Sequence, residues 1–94
     1  MSDDFSNKAV ELGETICQEA DRLVNEDRSN QYGHPKENFE VIAKLWSIIL
    51  QKPITSHQVA LCMILLKVSR EAYKHKRDNL TDICGFAKIA EMVQ

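Results

Sequence analysis

Apolar residues recur along this 94-residue chain at intervals of three or four positions, which is the spacing of an amphipathic helix and not the alternation of a strand. The pattern is strongest over residues 39–50, where the apolar positions are Phe39, Ile42, Leu45, Trp46, Ile49 and Leu50. Trp46 is interpreted there as an anchor of the core or of an interface. With only three glycines and two prolines to interrupt it, the chain is predicted to form a single compact four-helix domain of the all-α class.

Turn residues set the predicted limits of the first two helices. The first helix is expected to run from about Asn7 to Asn25, after a frayed segment at residues 1–6. Pro35 suits the first turn of the second helix, because its missing N–H group has no helical partner at that position. Pro53 then prevents that helix from continuing.

Capping residues predict where the last two helices begin. Thr55, followed three positions later by Gln58, matches a capping box at the start of the third helix. Because residues 59–66 are apolar nearly all round, this helix is expected to be the central and most deeply buried one. Asp78 or Thr81 is expected to cap the fourth helix.

The length of the chain limits the size of its core. A chain this short buries only ~60% of the surface that its unfolded form exposes. Self-association that covers an apolar helix face, and so produces a homo-oligomer, is therefore expected. No apolar run approaches the ~20 residues that a membrane span needs, and no signal sequence is visible. The protein is expected to be soluble and cytoplasmic, with no membrane partner.

Charge and cysteine content narrow the classes of partner. The formal net charge of −2 argues against a general nucleic-acid partner. The charge is uneven, since residues 1–27 carry a balance of −6 and residues 67–77 a balance of +4. Cys17, Cys62 and Cys84 form no C-x-x-C pair and lie among apolar residues, so buried thiols are predicted and a zinc site is not.

The end of the third helix and the start of the fourth hold the densest candidate chemistry. Lys67 and Arg70 share one helix face, and Asp78 and Asp82 share a face of the next helix. Cations beside carboxylates can hold an anion or a metal-bound anion. The structural alternative is that Lys67 or Arg70 simply pairs with Asp78 or Asp82.

A loop before the second helix adds further candidates for ligand binding. Arg28 is a planar cation, Tyr32 could stack on a base or sugar, and His34 could donate to a phosphate. Carboxylates on helices, among them Glu37, Asp78 and Asp82, could hold magnesium within a bundle. The alternative is an ordinary polar surface loop and solvated helix faces.

Most of the chain, from about residue 20 to 90, resembles a family of small phage and prophage proteins of uncharacterised function. The resemblance is carried by A-D-R-L-V-N-E-D-R (20–28), Y-G-H-P-K-E-N-F (32–39), L-W-S (45–47), V-A-L-C-M-I-L-L-K-V-S-R (59–70) and D-N-L-T-D-I-C-G-F-A (78–87). More remotely, the chain is similar to the MazG-like all-α nucleotide pyrophosphatases, through the Y-G loop, the central helix that carries Lys and Arg, and the D-x-x-x-D pattern of the last helix.

This second resemblance implies an oligomeric four-helix enzyme that uses magnesium to split nucleoside triphosphates into monophosphate and pyrophosphate. It implies catalytic and metal-binding roles for Asp78 and Asp82 and a metal-binding role for Glu37. The paired glutamates that such enzymes carry on a central helix are absent here, where Lys67, Arg70 and Glu71 stand instead.

Three functional hypotheses follow. The first is a magnesium-dependent nucleotide pyrophosphatase, with Arg28, Tyr32, His34, Lys67 and Arg70 binding a phosphate-bearing ligand. The second is a binding protein without turnover, an anti-defence module that sequesters a nucleotide signal or blocks a host defence protein. The third is a structural or DNA-associated helical module, supported only by the basic turn at residues 74–77.

Overall fold

The computed structural model describes the backbone of residues 3–27 and 33–94 and the side chains of residues 8–26 and 33–94. This part of the chain contains five helices and no strand, which confirms the all-α prediction. The helices are α1 (Asp3–Leu12), α2 (Ile16–Arg22, continued by a π-helical turn at Leu23–Asp27), α3 (Pro35–Leu50), α4 (Ser56–Tyr73) and α5 (Arg77–Met92).

The single first helix that the sequence predicted is in fact two helices. Gly13 has a φ of +66°, the left-handed conformation that ends helices and that glycine adopts without strain. Thr15 then caps α2, because its hydroxyl accepts from the Gln18 N–H while the Gln18 side chain accepts from the Thr15 N–H. The first helix also begins at Asp3 rather than near Asn7.

The predicted limits of the two middle helices are confirmed. Pro35 occupies the first turn of α3, and Gln51 ends that helix with a φ of 56°. The capping box at Thr55 and Gln58 is present at the start of α4. His57 in the next turn contacts the carbonyl oxygen of Ala90 at 2.9 Å, which joins the start of α4 to the end of α5.

The predicted cap of the last helix is wrong. Helix α5 begins at Arg77, and Lys76 at its N-cap position makes no capping hydrogen bond with its side chain. Glu71 from α4 organises this turn instead, since its Oε1 atom accepts from the Lys76 N–H at 3.0 Å and from Asn79 Nδ2 at 3.2 Å. The hydroxyl of Thr81 is used elsewhere, in a contact with α2.

The most deeply buried helix is α5, not α4 as the sequence predicted. Helix α5 packs most extensively against α4 and next against α2, and seven of its residues are buried. In α4 only Val59 and Ala60 are buried. The core cluster combines residues from α3, α4, α5 and the turn after α2: Val24, Phe39, Ala43, Val59, Ala60, Phe86, Ile89 and Ala90. Trp46 packs against this cluster, as predicted.

A large apolar surface remains uncovered on α3 and α4. We call it the outer face and define it by eight exposed side chains: Val41, Leu45, Ile48 and Ile49 on α3, and Leu61, Leu65, Leu66 and Val68 on α4. The molecule measures 44 × 30 × 19 Å along its principal axes. Its smallest dimension is about that of two packed helices, and no third layer formed by the described residues covers α3 and α4.

Candidate functional site

An ion pair between α4 and α5 lies at the centre of the predicted site. Lys67 Nζ lies 2.9 Å from Asp82 Oδ2, and the two side chains are 14% and 2% exposed. Both helices are long and amphipathic, and each presents its charged residue on the side that faces the other helix. This pairing confirms the structural alternative that the sequence left open for Lys67 and Asp82.

The carboxylate of Asp82 is only partly satisfied. Its Oδ1 atom is buried and has no hydrogen-bond partner among the described residues. A buried acceptor without a partner destabilises a fold by about 1–3 kcal/mol. Such an atom is uncommon in a small domain. A ligand, a water molecule or an ion that bonded to it would remove this cost.

A second buried carboxylate, Glu19 on α2, was not singled out from the sequence. It is fully buried, and its Oε1 atom accepts hydrogen bonds from Thr81 Oγ1 at 2.7 Å and from Arg77 Nε at 3.2 Å. Its Oε2 atom, like Asp82 Oδ1, has no partner within the described part of the chain. A signal was available, because Glu19 lies three residues after Ile16 and four before Leu23, on the apolar stripe of its own helix.

Two arginines, Arg22 and Arg77, add to the contact between Glu19 and Thr81 and form a polar junction between α2 and α5. Arg22 donates to both carboxylate oxygens of Glu14, at 2.9–3.1 Å, and this bond lowers the pKa of Glu14 below its usual 4.5. Arg77 donates through Nη2 to the backbone carbonyl of Glu14 at 3.0 Å. The polar junction, defined as Glu14, Glu19, Arg22, Arg77 and Thr81, therefore ties the start of α2 to the start of α5.

The end of α4 and the turn after it carry cations that have no carboxylate partner in the described part of the chain. Arg70, Lys74 and Lys76 are exposed, and within the described residues none of their side chains forms an ion pair. We call these three residues the cationic corner. The nearby Glu71 carboxylate is already engaged, and its bonds to His75, Lys76 and Asn79 lower its pKa.

The sequence grouped Arg70 with Asp78 and Asp82, but the three side chains differ in how deeply they are buried. Asp82 is buried, Asp78 is half-buried in the first turn of α5, and Arg70 is exposed. No ion pair joins Arg70 to either aspartate among the described residues. Lys67 and Arg70 share one helix face, as the sequence indicated, but only Lys67 is partly buried.

The remaining predicted ligands lie at or before the start of α3. His34 is exposed and caps that helix, since its Nδ1 atom accepts from the Lys36 N–H at 3.2 Å. Glu37 is exposed in the first helical turn. Arg28 and Tyr32 lie outside the described residues. Among the described residues, no three His, Cys, Asp or Glu side chains converge closely enough to hold a metal ion.

A shallow depression of about 520 Å³ lies elsewhere on the molecule, along the second half of α3 and the turn that follows it. It contains none of the predicted site residues. Its lining is mostly small or aliphatic: Glu40, Ala43, Lys44, Ser47, Ile48, Ile54, Thr55 and Ser56. The depression is therefore separate from the predicted ligand-binding residues of the loop before α3 and of the last two helices.

Two of the three cysteines lie next to each other at the contact between α2 and α5. The Sγ atoms of Cys17 and Cys84 are 3.7 Å apart. Burial, followed by the neighbouring Cys17 thiol, raises the pKa of Cys84 above 9.0. The prediction of three buried thiols is wrong, because Cys17 and Cys62 are exposed and Cys84 is half-buried.

None of the helices in the described ranges has the length and apolar character that a membrane span requires. Comparisons with known proteins find one family over residues 15–94, described as "Domain of unknown function (DUF6378)". The chain is 42% identical over 83 residues to the Gene 55 protein of Mycobacterium phage D29, which covers 87% of this chain and 55% of that protein. It is 37% identical over 82 residues to the Gene 55 protein of Mycobacterium phage L5, covering 85% and 53%.

The chain thus spans about half the length of the curated relatives it matches. These matches confirm the resemblance to small phage proteins of uncharacterised function. The family description assigns no activity, so the MazG-like similarity stays a prediction. No solved structure matches the chain.

Proposed function

The chain belongs to the DUF6378 family, and from that premise we propose that it is a phage protein that binds a phosphate-bearing small molecule at the cationic corner. The ligand is a nucleotide or another phosphate ester. Arg70, Lys74 and Lys76 provide the first contacts, and Lys67 lies one helical turn before Arg70, beside Asp82. Arg28, Tyr32 and His34 are proposed as the remaining ligands.

One observation carries this proposal. Of the five cations in residues 67–77, Lys67 and Arg77 are paired with buried carboxylates, whereas Arg70, Lys74 and Lys76 are exposed without an ion-pair partner among the described residues. Glu71 directs its carboxylate to His75 and Asn79 and offsets only one of these three charges, so the corner keeps a net positive charge. Three unpaired cations within two helical turns give a local positive potential that attracts phosphate groups.

Binding should be measured by isothermal titration calorimetry with inorganic pyrophosphate and with a panel of nucleoside triphosphates. Arg70→Ala is expected to weaken binding by roughly tenfold or more, the value of a charge-assisted hydrogen bond. The matched control is Lys52→Ala. It removes an exposed cation from the turn before α4, at the end of that helix far from Arg70.

Two results would end the proposal. One is the absence of binding to pyrophosphate and to every triphosphate tested. The other is an equal loss in Arg70→Ala and Lys52→Ala, which would indicate a general charge effect and not a site. Tighter binding of triphosphates than of pyrophosphate would identify a nucleotide as the ligand.

Magnesium-dependent hydrolysis is the second candidate function, and the unpartnered Oδ1 atom of Asp82 favours it. Magnesium usually binds through one or two carboxylates together with substrate phosphates, so a cage of three protein ligands is not needed. Asp82 lies beside Lys67 and shares its helix with Asp78, which suits one metal ligand next to a phosphate-binding cation.

Hydrolysis is tested by pyrophosphate release from nucleoside triphosphates with and without magnesium. Asp82→Asn is expected to abolish release while nucleotide binding persists. Because Asp82 is also the partner of Lys67, the variant must first show wild-type helicity by circular dichroism. A wild-type protein that binds nucleotide without turnover removes hydrolysis and leaves a module that sequesters its ligand, such as a nucleotide signal of host defence.

A further inference from the structure

The outer face of α3 and α4 is unusually apolar for a surface in contact with water. Side-chain exposure reaches 70% for Ile48, 80% for Ile49 and 67% for Leu65. These residues do not stand singly, because intervals of four and three put three of them on one side of each helix: Val41, Leu45 and Ile48 on α3, and Leu61, Leu65 and Val68 on α4. Scattered exposed aliphatic residues are ordinary on proteins, but a continuous stripe on two neighbouring helices is not.

Helix α4 shows the mismatch most clearly. Between its first turn and Arg70 the only charged residue is Lys67, and Lys67 is directed inward to Asp82. The outward side of α4 therefore has no charged group over almost four turns. A helix that is apolar nearly all round belongs in an interior, yet only one side of α4 is covered by α3 and α5.

The extent of the outer face matches what a dimer of this chain needs. An aliphatic side chain contributes on the order of 100 Å² of apolar surface when fully exposed, so eight half-exposed ones offer roughly 400 Å². An interface that extends beyond the outer face to Tyr73, which is 92% exposed at the end of α4, gains on the order of 150 Å² more. A standard interface buries about 800 Å² per partner, and about 65% of a homodimer interface is apolar, which is roughly 500 Å².

We propose that the outer face is the interface between two copies of this chain, packed with α4 against α4 about a two-fold axis. A two-fold interface brings the same patch together from both subunits, so any charge in its centre would meet a like charge. The outer face of α4 has none, and its cations lie only at the Arg70 end. Antiparallel packing of the two helices places each Arg70 away from the other. This inference does not depend on the proposed phosphate binding.

The test is the mass of the protein in solution, measured by light scattering after gel filtration over a dilution series. We expect the wild-type chain to have twice its 10.8 kDa mass at micromolar concentration. Leu65→Glu and Ile48→Glu each place a charge in the interface and should raise the dimer dissociation constant by roughly 100-fold. Neither residue belongs to the core, so the helicity of the separated chains should be retained.

Val10→Glu is the matched control, because Val10 is an aliphatic residue of α1 that is 74% exposed and lies outside the outer face. It should leave the dimer intact. A wild-type chain that has the single-chain mass at every concentration overturns the proposal and leaves the face to a different partner. So does dissociation by Val10→Glu as strong as that by Leu65→Glu. A larger assembly that Leu65→Glu breaks and Val10→Glu does not supports the same self-associating face.

Discussion

The polar junction between α2 and α5 and the outer face of α3 and α4 reverse the usual distribution of side chains. At the junction a carboxylate, Glu19, is fully buried, whereas on the outer face Ile49 is 80% exposed. Buried charges are retained when they have partners, and Glu19 has Arg77 and Thr81. Exposed aliphatic residues have no comparable compensation within the described part of the chain. Glu19 thus finds partners inside the chain through one of its oxygens, whereas the outer face needs the second copy proposed above.

The largest expected effect concerns the ion pair that lies beside the junction. Lys67→Ala leaves the Asp82 carboxylate buried without its cation, and we expect it to lower the free energy of unfolding by about 3 kcal/mol. Urea denaturation at one fixed protein concentration measures this, because an oligomer's stability depends on concentration.

The control for that prediction is the double variant Lys67→Met with Asp82→Leu. It removes both charges and fills their volume, so it should be about as stable as the wild type. If Lys67→Ala costs no more than the double variant, the pair is effectively solvated and the contrast between the two regions is weaker than the structure indicates.

A smaller loss is expected when the junction loses one neutral donor. Thr81→Val keeps the shape of the side chain but removes the hydroxyl that donates to Glu19, at a cost of about 1–2 kcal/mol. Thr81→Ser keeps the donor and should lose less. A loss in Thr81→Val no larger than that in Thr81→Ser would show that the hydrogen bond contributes little, because only Thr81→Ser lacks the methyl group.

The pH dependence of stability tests the rim of the same junction. The hydrogen bond from Arg22 lowers the pKa of Glu14 in the folded state below 4.5, so this bond stabilises the fold fully above that pH. The contribution is lost as the pH falls through the lower, folded-state pKa. Glu14→Gln should therefore flatten the fall in stability below about pH 4.5, while Glu11→Gln, an exposed control on α1, should not.

The smallest effect concerns thiol reactivity at the contact between α2 and α5. The pKa of Cys84 is raised, chiefly by burial, so less of it is thiolate at pH 8 than for a free cysteine. Reaction with a disulfide reagent should modify the exposed Cys17 first and Cys84 last. Peptide mapping of a time course measures the order. Cys62 lies on the outward side of α4. If a second copy covers that face, the reagent should modify Cys62 faster in Leu65→Glu than in the wild type.

Local signals in the sequence predicted the middle of the chain correctly. Pro35 and Pro53 mark the limits of α3 through backbone restrictions that no tertiary contact can remove. Thr55 and Gln58 mark the start of α4 through hydrogen bonds within three residues. The same signal exists at Thr15 and Gln18, next to Gly13, and reading it would have divided the first helix correctly.

The candidate site was only partly predictable. The spacing of Lys67, Arg70, Asp78 and Asp82 indicated that cations and carboxylates meet at the last two helices, and Lys67 and Asp82 do meet. Spacing alone could not separate the buried Asp82 from the half-buried Asp78, because an interval of four places both on the same side of α5. Glu19 interrupts an apolar stripe, but its partners are 58 and 62 residues away in the chain.

By itself, then, the amino-acid sequence determined the helical class, most helix limits and the apolar character of each helix, because these depend on neighbours within a turn. Only the tertiary structure decided which helix is buried. A strongly apolar helix such as α4 can be covered by its own chain or by another molecule, and periodicity is the same in both cases. The packing of α5 between α2 and α4 settles that question within the chain and leaves the outer side of α4 exposed.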